Sequence, residues 1–150
     1  DQDEISDEVI ADRVGALVAS RDGARGFFVV SLAGDSALMD RLPDALLIKL
    51  REAGDGVVDL TARNLAMSAA MAVHHRNNND DEQAAGSERV NQRCSELLRQ
   101  LDSQRVKDRL EILLEAANHS RGEDLAFLER WGYDEHQKQA IGEAVQAVAE

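Results

Sequence analysis

Cysteine is almost missing from this 150-residue chain: Cys94 is the only one, so no intramolecular disulfide and no multi-cysteine metal site can form. Proline is equally scarce, with Pro43 alone, so little in the sequence interrupts helical runs. Aromatic residues make up 3% of the chain, and Lys supplies only 3 of the 17 basic residues. There is no apolar run of 18 residues and no hydrophobic signal core, which argues against a membrane span and for a reduced, cytoplasmic setting.

What is abundant is acid. Twenty-nine Asp and Glu against 17 Lys and Arg give a net charge of −12. Nucleic acid and anionic lipid are bound through clustered cations, so neither is the expected partner. With 43% hydrophobic residues, a chain of this length can bury a core without staples. Residues 1–150 are therefore read as one helical domain, with residues 1–4 as a frayed acidic tail.

Helical periodicity recurs along the chain and predicts an all-α bundle of roughly six to eight helices with short connections. Ser6, followed by Asp7 and Glu8, predicts a helix start, and Ile10, Val14, Leu17 and Val18 give its apolar stripe before Gly23. A second helix is bounded by Pro43 and Gly54 and buries Leu46, Leu47 and Leu50. A long, Ala-rich third follows Asp55-Gly56, with Val58, Ala62, Leu65, Ala69, Ala72 and Val73 inward. The polar bend Asn77–Asp81 predicts a helical hairpin, its second arm capped by Asn79 with Glu82 and carrying Val90, Cys94, Leu97, Leu98 and Leu101. Val106, Leu110, Leu113, Leu114 and Ala117 mark the next helix. Ser120 with Glu123 predicts a short one closed by Gly132, and Asp134 with Gln137 the last, burying Ile141, Ala144, Val145 and Val148. Phe27–Val30 has the strongest strand propensity, yet no second strand candidate exists to pair with it. A buried helical turn or extended core segment is the preferred reading, with strand or helix left open.

The chemistry-bearing residues are few. Adjacent His74 and His75 point about 100° apart on a helix and cannot chelate one ion from that helix alone. Asn77, Asn79, Asp81 and Glu88 partly mimic a calcium loop, but Glu82 stands where the sharp turn needs Gly. Glu115 and His119 share a helix face, a spacing that is ordinarily a surface pair. Cys94 lies on an apolar stripe and is expected in the core. No nucleophile elbow or phosphate-binding glycine motif is present, and no cofactor and no catalytic residue is assigned.

Two features suggest contact with another protein. From Gly86 to Leu110 the chain carries six basic and four acidic residues, and Arg89, Arg93 and Arg99 make a candidate docking face for an acidic partner or for the chain's own acidic N-terminus. Phe127, Trp131 and Tyr133 cluster within seven residues, and Trp and Tyr are frequent interface anchors. The leading expectation is a non-catalytic protein, monomeric or homodimeric, acting as an adaptor, assembly or regulatory factor. The alternative is a small-ligand- or metal-dependent protein with a polar site at His74, His75, Asn79 and Asp81.

Overall fold

The computed structural model describes residues 44–149. They are 84% helical, in six helices packed against each other with no strand among them. The expected helix at Ser6, the segment Phe27–Val30 and the acidic tail at residues 1–4 lie outside the described residues. The helices are α1 (Asp44–Glu52), α2 (Asp55–Asn77), α3 (Asp81–Gln100), α4 (Ser103–His119), α5 (Leu125–Arg130) and α6 (Glu135–Ala149).

Helix α2 is the centre of the bundle, packed against α3, α4 and α6. Its buried positions run nearly all the way round: Val57, Val58, Thr61, Ala62, Leu65, Ala66, Ser68, Ala69, Ala70 and Ala72. A single inward stripe is what the sequence pattern predicts, and Val73 on that stripe is only half-buried. The wider burial follows from being surrounded, and small side chains permit it by letting neighbouring helices approach. The two buried hydroxyls stay satisfied within the helix, Thr61 donating to the Val57 carbonyl at 2.6 Å and Ser68 to that of Leu65 at 3.0 Å.

Helices α2 and α3 form the expected hairpin, and its direction is fixed by contacts at both levels. Arg76 near the end of α2 meets Glu88 early in α3, whereas Asn91, further along α3, donates to the Leu65 carbonyl at 3.1 Å and reaches the Ser68 hydroxyl at 3.2 Å. The two helices therefore run antiparallel.

The bend between them differs by one residue from the expected cap. Asn79 has φ +59° and ends α2: its N–H donates to the Arg76 carbonyl, and the Asp80 N–H to that of His75. Asp80 then caps α3, its Oδ1 accepting from the Gln83 N–H at 3.2 Å. Asn79 takes the left-handed conformation that closes α2, and a residue spent on that turn is not free to cap α3, so the capping role passes to Asp80.

The same substitution of roles occurs after α4. Ser120 takes φ +52° and closes α4, so it does not cap the next helix. The residue preceding α5 is Asp124, whose side chain makes no capping bond. At α6 the expected reciprocal cap is present in full: the Gln137 N–H donates to Asp134 Oδ1 at 2.8 Å, and the Asp134 N–H to Gln137 Oε1 at 3.0 Å. Asp102 caps α4 by the forward bond alone, accepting from the Arg105 N–H at 3.0 Å.

One continuous core joins the helices. Leu47 and Leu50 of α1, Leu97, Leu98 and Leu101 from α3 and its end, Val106, Leu110 and Leu113 of α4, Leu128 of α5 and Ile141, Val145 and Val148 of α6 all belong to it. No helix among the described residues is long and apolar enough to cross a membrane.

Candidate interaction surfaces

The three arginines of the basic window have three different environments. Arg89 is exposed on α3. Arg93 is 3% exposed, because it stands three residues after Val90 and four before Leu97, on the inner stripe and not beside it. Arg99 is exposed but already committed. Its Nη2 donates to the Ala147 carbonyl at 2.6 Å and its Nε to that of Val148 at 3.5 Å, while Nη1 pairs with Glu96 at 2.7 Å. A guanidinium at the last carbonyls of α6 satisfies backbone acceptors and complements the helix dipole. The structure thus does not gather Arg89, Arg93 and Arg99 into one solvated face.

The aromatic cluster also divides. Tyr133 is buried, and burial pushes its hydroxyl pKa up to about 12. Phe127 is half-buried, with the Arg63 guanidinium 5.5 Å above its ring centroid. Trp131 alone turns outward, 54% exposed.

The chain on either side of Trp131 is tied into the bundle. Leu128 is fully buried, and the Tyr133 N–H donates back to its carbonyl. Asp124, 3% exposed, receives both terminal nitrogens of Arg109 from α4, at 2.5 and 3.0 Å, while Arg109 Nε reaches Asp59 of α2 at 2.9 Å. Burial alone would lower the Arg109 pKa, but the hydrogen-bonded carboxylates of Asp124 and Asp59 outweigh it and hold it above its usual value. Nothing in the local sequence announces this pair, since its members are fifteen residues apart and neither falls in a motif.

The polar site at the hairpin end is open. His74 is exposed and His75 half-buried, their rings edge to face with centroids 5.4 Å apart. Asn78 Nδ2 lies 3.2 Å from His74 Nε2. Asn79 is spent on the left-handed turn and Asp81 is an exposed first-turn residue of α3. Glu88 pairs with Arg76, and Glu115 with Arg121 at 3.2 Å. Among the described residues no three His, Cys, Asp or Glu side chains stand close enough to hold a metal ion. Cys94 is fully buried, and desolvation raises its thiol pKa to about 12.

A surface absent from the sequence reading lies between α4, α6 and the end of α3. It is an apolar groove of about 470 Å³, walled by Leu98, Val106, Leu110, Leu114, Val145 and Val148, with Arg99, Lys107 and Glu111 at its edge. Leu114, expected inside, is only half-buried because it forms this wall.

In comparison with known protein families, the model described as Uncharacterised conserved protein UCP020893 matches residues 1–148. The chain belongs to that family. The match spans both the described bundle and the residues before α1. Neither among curated proteins nor among solved structures does anything match.

Proposed function

We propose that this protein works without catalysing a reaction, through contact with another protein, as an adaptor, assembly or regulatory factor. The observation that carries this reading is Trp131. An indole 54% exposed leaves apolar surface in water, which is favourable to cover. It stands on a backbone held by Leu128, Tyr133 and the Arg109–Asp124 pair, so little side-chain or loop ordering opposes its burial by a partner. Trp is also the residue type most enriched among interface positions whose truncation costs most. A cytoplasmic setting is part of the proposal and fits a single buried thiol.

The same residue supplies the test, because it is the chain's only tryptophan and intrinsic emission reports on it alone. Affinity capture from the source cells is run in parallel with the natural protein and Trp131→Ala, after far-ultraviolet circular dichroism shows both folded. The expected result is a protein species retained by the first and held at least tenfold more weakly by the second. Adding that purified species should shift the tryptophan emission to the blue. Equal retention by both forms, with unchanged emission, rejects Trp131 as the anchor.

A further inference from the structure

The apolar groove between α4 and α6 stands apart from Trp131, which precedes α6, because its α6 wall is Val145 and Val148 near the other end of that helix. We propose that this groove binds a free medium-chain fatty acid, with the acyl chain along the groove and the carboxylate at Lys107.

The groove holds about 470 Å³ and its walls are mostly aliphatic. Small-ligand sites occupy about 300–1,000 Å³, are lined mainly by apolar side chains with a few polar groups, and occur between the helices of bundles. On α4 the wall runs through Val106, Leu110 and Leu114, a span of eight residues or about 12 Å of helix. An extended chain advances about 3.5 Å for every three bonds, so about ten carbons cover that length.

The charged groups select the head group and its position. Lys107 is exposed at the groove edge, and among the described residues it forms no hydrogen bond and no ion pair, so its ammonium has three donors to offer. Arg99 beside it is already spent on Glu96 and on the last carbonyls of α6. Ser103, one turn before Lys107 on α4, adds a hydroxyl at the same end. A ligand with one negative charge at one end of an apolar chain matches this arrangement. The net charge of −12 repels anions over most of the remaining surface, which makes a free cation beside an apolar groove a distinctive seat.

Glu111 sets the direction. It stands one turn beyond Lys107, on the way to Leu114. A carboxylate placed at the Leu114 end would lie nearer to Glu111 than to Lys107, a like-charge contact. The head therefore sits at Ser103 and Lys107, and the methyl end of the chain reaches Leu114.

The test is calorimetric titration of the full-length chain near neutral pH with hexanoate, octanoate, decanoate and laurate, each below its micelle concentration. Affinity should rise about two- to fourfold with each added methylene as far as decanoate, the upper figure being full burial, and level off at laurate, whose last carbons pass the end of the groove. Lys107→Met should weaken octanoate about threefold or more, and Lys107→Arg should restore it. Arg130→Met removes an exposed cation of α5, which does not line the groove, and should change nothing. Octanol and methyl octanoate lack the carboxylate, so they should bind more weakly than octanoate and be indifferent to Lys107→Met. Leu114→Asn, with helicity kept, should weaken decanoate and leave hexanoate, too short to reach it, unchanged. Absence of binding by every carboxylate overturns the proposal, as does octanoate affinity unaltered by Lys107→Met. Methyl octanoate held as tightly as octanoate assigns the groove to esterified chains and rejects the free acid. Loss of hexanoate and decanoate alike in Leu114→Asn overturns the stated direction.

Discussion

Arg109 and Asp124 share two hydrogen bonds across the α4–α5 junction, both side chains withdrawn from solvent, and this pair takes the carboxylate that would otherwise cap α5. Removing Arg109 strands the buried Asp124 carboxylate, whereas removing Asp124 leaves Arg109 its bond to Asp59. Arg109→Met is expected to cost about 3–5 kcal/mol, the range for an uncompensated buried charge. The double change Arg109→Met with Asp124→Leu should recover much of that loss, since packed apolar groups replace a buried pair at little cost. Urea unfolding of the three forms measures both quantities, and a double variant no more stable than the single one would contradict the pairing.

Arg99 offers a smaller effect of different origin. Its bonds to the Ala147 and Val148 carbonyls close the end of α6, but the side chain is 40% exposed, so solvent weakens the electrostatic share. Arg99→Met is expected to destabilise by about 1 kcal/mol. Hydrogen exchange should quicken first at the amides of the last turn of α6. Unchanged exchange there would remove the clamp.

Alkaline pH should loosen the fold through two buried acids. Cys94 rises from 9.0 to about 12 and Tyr133 from 10.0 to about 12, so between these limits the folded chain holds protons that the unfolded chain has released. Stability from both groups is therefore complete below pH 9 and falls as pH climbs towards 12. The slope is about 1.4 kcal/mol per pH unit for each group while it alone differs between states. Urea midpoints measured across that range should fall, and Cys94→Ala should flatten the curve from its lower edge upward. A Cys94→Ala curve parallel to that of the natural protein would refute the thiol's part.

Two glycines should respond in opposite directions. Gly86 lies inside α3 with nothing within 4 Å of where a Cβ would stand, so Gly86→Ala is expected to stabilise by about 0.4–1 kcal/mol. Gly54 has φ +69° between α1 and α2, and an added Cβ would meet Arg105 Nη1 at 2.8 Å. Gly54→Ala should destabilise, and thermal melts of the two variants should separate on either side of the natural protein.

How much of this could be read beforehand depends on range. The reciprocal cap at Asp134 and Gln137 and the stop at Gly54 are local in sequence, and both stand where the pattern puts them. The hairpin was legible for the same reason, although Asn79 and Asp80 divide between them a role that one residue was expected to fill. Arg93 was legible in principle: its spacing from Val90 and Leu97 is that of a core position, and its charge masked the signal. The grip of Arg109 on Asp124 and of Arg99 on α6 joins residues 15 and 48 or more apart, where periodicity carries no information. The groove was illegible for a further reason. It is a relation between three helices, and Leu114 differs in no sequence property from the leucines that are fully enclosed.

The central helix has a consequence for how this fold can vary. Ala62, Ala66 and Ala70 have no exposed surface, with α3, α4 and α6 packed around the helix that carries them. Adding methylenes to a closely packed interior costs about 1–3 kcal/mol, and truncating Ala to Gly inside a helix costs about 1 kcal/mol. Those positions can neither grow nor shrink cheaply, so the diameter of α2 sets the spacing of every helix around it. Diversity within such a scaffold is confined to the outer faces, where a change of side chain alters what the surface meets and leaves the distances between helices as they were.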